Sequence, residues 1–156
     1  MKAAKLGVDF IRFTGDEHAN LIGANLMIPA GDFRVFGEYW KNTSTDSDYN
    51  RAWNAGIGYG KMDLKKPGSF SLSLAYNDVD YDVYFGGTGL QTDVLSQLTN
   101  KATYGDAFNV TFWNAMADVT LQKNVYLHAE YAFDVDTEAS STDAKDAWNV
   151  SLNYKF

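Results

Sequence analysis

The feature that most limits what this chain can become is an alternation of apolar and polar residues with period two, repeated along almost its whole length. Successive side chains of a strand leave opposite faces of a sheet, so such a segment commits one whole face to apolar surroundings. The C-terminal segment AWNVSLNYKF shows this most cleanly. Trp148, Val150, Leu152, Tyr154 and Phe156 fall on one face, and Asn149, Ser151, Asn153 and Lys155 on the other. The segment from Val125 to Asp134 repeats the scheme, with Val125, Leu127, Ala129, Tyr131 and Phe133 opposite Tyr126, His128, Glu130, Ala132 and Asp134. Phe70, Leu72, Leu74 and Tyr76 oppose Ser71, Ser73, Ala75 and Asn77, while Trp53, Ala55, Ile57 and Tyr59 oppose Asn54, Gly56, Gly58 and Gly60.

Three further strands are predicted over Lys5 to Phe13, Asn20 to Ile28 and Phe33 to Lys41. From Phe108 to Leu121 the apolar residues change phase, with Phe108, Val110 and Phe112 on one parity and Val119 and Leu121 on the other. A bulge within that strand would account for the change. The sum is eight strands with little room for helix except in one connection.

The connections alternate in length. Pro29 to Asp32, Lys61 to Ser69 and Gln122 to Asn124 are short, whereas Thr43 to Arg51, Asp78 to Ala107 and Asp136 to Asp146 are long, with Thr14 to Ala19 intermediate. An antiparallel up-and-down sheet puts alternate connections at opposite ends, and short turns at one end with long loops at the other is the asymmetry of membrane barrels. Aromatic residues sort the same way. Tyr39, Trp53, Tyr76, Tyr131, Phe133 and Trp148 come out near the long-loop end of the apolar face, and Phe33, Tyr59, Phe70, Tyr154 and Phe156 near the short-turn end. Between them stand Val35, Gly37, Ala55, Ile57, Leu72, Leu74, Leu127, Ala129, Val150 and Leu152. Two aromatic belts flanking an aliphatic band are expected where rings sit at both interfaces of a bilayer. The expected fold is therefore all-β, an antiparallel up-and-down transmembrane β-barrel with eight strands in this chain. A soluble ligand-binding barrel with the apolar face turned inward is the competing architecture.

Composition removes other classes. A net charge of -7 without a Lys/Arg cluster argues against a nucleic-acid partner. Ten Tyr, ten Phe and four Trp are far more aromatic surface than a disordered acidic chain carries. Cysteine is absent, which excludes disulfides and thiolate metal sites. No apolar run reaches the length of a membrane-spanning helix. Asp9 and Arg12 interrupt what would have to be an uncharged stretch of a secretory signal, so Met1 reads either as the start of a trimmed mature chain or as an internal methionine. Acidic residues gather in the long connections, and Lys2, Lys5, Lys61, Lys65, Lys66, Lys123 and Lys155 at the short-turn end. Such an acidic rim would draw cations toward a pore mouth, more weakly in salt.

The closing segment WNVSLNYKF, with a terminal Phe156 and apolar residues at every second place before it, resembles the closing strand of Gram-negative outer-membrane β-barrel proteins. The segments WNAGIGYG, WNAMADVTLQKNVYLHAEYAFD and SLNYKF are similar in style to the C-terminal half of porins that carry an S-layer homology domain. The resemblance implies an outer-membrane location in a diderm bacterium and bilayer lipid as surroundings. It also implies recognition of Trp148, Val150, Leu152, Tyr154 and Phe156 by the barrel-assembly machinery. Those porins have larger barrels with further segments ahead of the strands, and nothing in residues 1–156 matches those segments.

No arrangement of catalytic residues is specified, and an enzyme is not expected. The chain has two histidines. His128 lies on the polar face beside Glu130, where a hydrogen-bonded lumen residue is the commoner role than a catalytic one. His18 sits beside Asp16 and Glu17 in the first long-side loop and reads as solvated. Asp78, Asp80 and Asp82 begin like an EF-hand loop, but Val83 stands where its Gly belongs and the closing Glu is missing. Gly86, Gly87 and Gly89 lack the Gly-Lys-Ser/Thr of a phosphate loop. No metal site and no cofactor are expected.

The connection 78–107 is too long for a passive turn. Thr92 to Leu98 predicts a short helix, and Asp93, Val94, Leu95 and Leu98 are expected to fold inward and narrow a lumen, the alternative being a loop that projects outward as a binding surface. Arg34, Glu38, Asn54, Ser71, Ser73, His128, Glu130, Asn149, Asn153 and Lys155 are the expected lumen-facing residues, with Arg34 and Glu38 pairing along their strand. Two functions follow. One is a porin, or the C-terminal portion of one, that passes small hydrophilic solutes, a role compatible with homo-oligomers; the small inward residues Gly56, Gly58 and Gly60 suit its water-filled lumen. The other takes residues 1–156 as a whole eight-stranded barrel acting as an anchor, adhesin or envelope-structure protein. Phe36, Trp40, Trp113 and Tyr126 would then fill its interior, since eight strands enclose little more than side chains.

Overall fold

The computed structural model describes residues 3–14, 18–83, 94–98, 109–138 and 145–156. Eight strands form one sheet in chain order. They are β1 (Lys5–Thr14), β2 (His18–Ala30), β3 (Phe33–Asn42), β4 (Arg51–Gly60), β5 (Phe70–Val79), β6 (Asn109–Gln122), β7 (Val125–Glu138) and β8 (Ala147–Tyr154). Every neighbouring pair is antiparallel. Among the described residues β1 pairs only with β2 and β8 only with β7, so the up-and-down sheet is not closed. The connection between β5 and β6 contributes a 3-10 turn at Tyr81–Val83 and one helical turn, α1 (Leu95–Leu98). No helix among the described residues is long and apolar enough to cross a membrane, which says nothing of strands.

The turns are set by backbone chemistry. Gly31 closes the β2–β3 turn at φ 67° and Asn124 the β6–β7 turn at φ 62°, the left-handed region open to Gly and tolerated by Asn. The β4–β5 turn is tied by side chains: Ser69 Oγ donates to the Lys66 carbonyl at 2.7 Å, and Thr120 Oγ1 donates to the Asp63 carbonyl at 3.1 Å.

The registers stagger steadily across the sheet. Lys5 at the foot of β1 is level, pair by pair through Met27, Phe36, Gly56, Ala75, Asn114 and Ala132, with Ala147 at the top of β8. Such shear accompanies strands that tilt as in a barrel wall.

The two faces differ sharply. The outer face exposes Leu6, Val8, Val35, Ile57, Leu72, Val150 and Leu152. It carries aromatic rows at both ends. Trp53, Tyr76 and Trp113 lie with ring centroids 5.7 and 5.4 Å apart, and Phe33, Tyr59 and Phe70 with centroids 4.9 and 6.0 Å apart. Offset and edge-on contacts of this kind suit the ring quadrupole. Trp113 was expected among the interior-filling residues, but it belongs to the outer row, because it stands opposite Tyr76 and Phe133 on the outward parity of β6.

The inner face carries the buried cluster. Leu21, Trp40, Val79, Val110, Phe112 and Ala132 pack there with Val83, Val94, Leu95 and Leu98. This explains the phase change in β6 without a flip inside that strand. Val110, Phe112, Asn114 and Thr120 are all buried on one parity, so β6 keeps its direction throughout. The apolar residues change sides because the inner face is itself apolar at the long-loop end. The register shift lies opposite Phe112, where β7 has an extra residue and Asp134 adopts φ 54°. There β7 changes parity: Phe133 stacks on Tyr131 outside, whereas Val135 packs on the inner cluster. A second shift lies between Thr120 and Gln122, and Phe108 lies outside the described residues.

Candidate functional site

The inner face divides into an apolar end, a buried polar seat and a polar half toward the short turns. At the apolar end α1 presses Val94, Leu95 and Leu98 onto the sheet, each nearly or wholly buried. The seat beneath it is Glu130, 3% exposed at the middle of β7. Its Oε2 accepts the Val94 N–H at 3.0 Å, and its Oε1 accepts from Asn114 Nδ2 at 3.1 Å. A buried carboxylate costs heavily unless donors surround it, and these contacts supply them. The described part of the long connection thus lies inside, against the sheet. Asp93 lies outside the described residues.

The polar half is less open than the row of small residues suggests. Arg34 lies flat across Gly58 and reaches over β4, donating to the Gly60 carbonyl at 3.0 Å and to Ser71 Oγ at 3.2 Å. A Cβ built on Gly58 would fall 2.6 Å from Arg34 Nε. Phe36 covers Gly56 in the same way, and Trp40 covers Gly23. These glycines seat large side chains from β3 rather than leaving free lumen. Arg34 and Glu38 do not pair: Glu38 Oε1 accepts from Trp40 Nε1 at 2.6 Å, while Arg34 is held by β4 and β5. A four-residue separation along a strand spans about 13 Å, too far for a direct ion pair.

Across β6, β7 and β8 a second polar row runs level. Asp118 pairs in register with His128, and His128 with Ser151. His128 Nδ1 and Asp118 Oδ1 are 2.8 Å apart, which orients the ring. Asn153 Nδ2 donates to Ser151 Oγ at 2.9 Å. Asn149 stands opposite Glu130, Asn54 opposite Asn77, and Ser73 between Gly58 and Met116. Lys155 is exposed beyond the end of β8. Asn114 and Asp118 were not anticipated as inner residues. They share the parity of Phe112, and an unbroken β6 alternation would have placed them there.

At the long-loop end, Asp48, Asp78, Asp80, Asp136 and Glu138 surround a hollow of about 210 Å³ with Tyr49, Arg51, Asn109 and Thr111. Asp80 accepts the Arg51 N–H at 3.0 Å, with Arg51 Nε 3.9 Å away. Its carboxyl is pushed above the ordinary range, chiefly by burial and further by the nearby Asp78 and Glu138 charges; the Arg51 contacts oppose this. Among the described residues no group of three or more His, Asp or Glu is placed to hold a metal ion.

Comparison with protein-family models and with curated protein sequences found no match.

Proposed function

We propose that the chain forms wall of an outer-membrane β-barrel in a diderm bacterium, and that its inner face lines a narrow passage for small hydrophilic solutes. The observation that carries this reading is the pairing of an exposed aliphatic outer face, bounded by aromatic rows at both ends, with an inner face holding Arg34, Ser71, Asp118, His128 and Asn153. Lipid is the surrounding that makes so much exposed apolar surface stable, since in water it would drive aggregation. Porins are the group whose closing strand this chain resembles, and Phe156 is the residue we assign to the assembly machinery. Residues 94–98 narrow the passage, and the acidic rim biases it toward cations.

The cysteine-free sequence makes a direct test simple. In reconstituted protein, a cysteine at Val150 should be shielded from a water-soluble maleimide and one at Ser151 labelled by it. The reverse pattern would establish a soluble barrel with an apolar core. A second reading, a filled barrel serving as anchor or adhesin, draws on the buried cluster around Trp40, Phe112 and Leu98. It predicts that Ser151→Cys is also shielded and that planar bilayers show no conductance.

A further inference from the structure

We propose that the polar half of the inner face holds a binding site for a small zwitterion of the amino-acid class, its carboxylate on Arg34 and its ammonium on Asp118. The proposal rests on the reading of this face as a water-filled lumen and names the solutes that the lumen favours.

The first half of the site is a cation with no counter-ion in contact. Arg34 is half-buried on β3, and among the described residues no carboxylate pairs with it. Its guanidinium donates to neutral oxygens only: the Gly60 carbonyl at 3.0 Å, Ser71 Oγ at 3.2 Å and the Leu72 carbonyl at 3.5 Å. These bonds occupy three of the five N–H groups of an arginine and leave its charge unmatched. They also fix its place, because the side chain lies against β4 where Gly58 presents no Cβ. A carboxylate arriving there gains charge-assisted hydrogen bonds, roughly twice as strong as neutral ones.

The second half is an anion held beside it. Ser71, on which Arg34 rests, pairs in register with Asp118 of β6, and Asp118 pairs with His128 of β7. Registered partners in an antiparallel pair stand about 5 Å apart between Cα atoms. The guanidinium and the carboxylate are therefore neighbours across one serine, yet they form no ion pair among the described residues. Asp118 Oδ1 is turned to His128 Nδ1 at 2.8 Å instead, and 26% of the Asp118 side chain stays exposed. The cause lies in the strands: Arg34 reaches in from β3 across β4, whereas His128 draws Asp118 the other way, toward β7. The inward carboxylates farther up the face are engaged elsewhere, Glu38 by Trp40 and Glu130 by Val94 and Asn114.

Opposite charges kept apart by their own strands offer a ligand two poles at once. A solute with ammonium and carboxylate on one carbon matches both. A simple anion meets repulsion from Asp118, a simple cation meets it from Arg34, and a neutral polyol gains only uncharged hydrogen bonds. The acidic rim at the long-loop end draws the ammonium pole on approach.

The test is saturation-transfer NMR on the folded protein in nonionic detergent, reading the methyl signal of alanine. Transfer to alanine is the expected result, competed by glycine and not by equal concentrations of acetate, methylammonium or glycerol. Arg34→Gln and Asp118→Asn should each cut the signal by about tenfold or more, and Arg34→Lys, which keeps the charge, should retain part of it. No transfer in the folded parent would overturn the proposal. Acetate or methylammonium competing as well as glycine would overturn it too, since one pole would then suffice, as would equal signals in the parent and both neutral variants. The competitors act on the unaltered chain, so the decision stands even if a variant fails to fold. Failure of the lumen reading is seen separately, as a Ser151→Cys that a water-soluble maleimide does not reach, and it would overturn both; Ser151→Cys labelled, with no transfer to alanine, would overturn the zwitterion site alone.

Discussion

The seating of α1 on Glu130 makes a quantitative demand on how firmly residues 94–98 stay inside. Glu130→Ala removes the acceptor of the Val94 N–H at 3.0 Å and of Asn114 Nδ2 at 3.1 Å, both in a site with Asn114 1% and Leu98 1% exposed. A buried donor left without its acceptor costs about 1–3 kcal/mol. For the pair of losses we take about 3 kcal/mol, toward the low end of the summed range. At about 1.4 kcal/mol per decade, the undocked population rises by about a hundredfold. Glu130→Gln keeps one carbonyl oxygen and should lose about half as much, a rise of about tenfold. The assay is the labelling rate of a cysteine at Leu98 by a water-soluble maleimide under conditions where opening precedes labelling. Single-channel conductance is recorded alongside and should step upward with undocking. A labelling rate in Glu130→Ala no faster than in the parent would refute the idea that this carboxylate holds the segment.

Three further outcomes are expected. Gly56→Ala should destabilise the sheet by about 1–3 kcal/mol through overpacking. Its Cβ would sit 2.6 Å from the Leu74 carbonyl oxygen and 2.8 Å from Ala75 Cβ, neither of which can swing aside. Gly58→Ala meets first the movable end of Arg34 and should cost less; denaturant titration in detergent ranks the two, and the opposite order would count against the packing argument. Asp80 binds a proton in the folded rim that the unfolded chain has already released, so stability falls as pH rises from the ordinary carboxylate value to the raised one. Asp80→Asn keeps an acceptor for the Arg51 N–H and should flatten that dependence in thermal unfolding followed upward from the ordinary carboxylate range, whereas an unchanged slope would assign it to other groups. Deleting Phe156 should lower membrane-assembled yield far more than His128→Ala, which removes only the contact to Asp118 among those described above; equal yields would argue against a terminal assembly signal.

The alternation itself determined the sheet. Side chains at i and i+2 share a face whatever the strand packs against, so Trp148 to Phe156, Trp53 to Tyr59 and Phe70 to Tyr76 revealed strands, faces and aromatic rows before any tertiary contact was known. Loop lengths likewise determined strand order, because short turns join only antiparallel neighbours. Tertiary structure decided what covers the inner face. Val110 and Phe112 have the same hydropathy whether they meet surrounding apolar material or Leu98, and only the docking of α1 shows that they point inward. It also decided where parity changes. A bulge was sought in β6, where the apolar pattern breaks; β6 has its extra residue only at Leu121 beside the turn, and the parity change at the long-loop end belongs to β7 at Asp134, whose left-handed φ leaves no mark in hydropathy. Gly56 and Gly58 carry the same lesson: a missing Cβ reads as free volume in a sequence, but Phe36 and Arg34 from the neighbouring strand occupy it. Period-two patterning encodes direction relative to the sheet, whereas occupancy of the space beyond depends on side chains brought from distant parts of the chain.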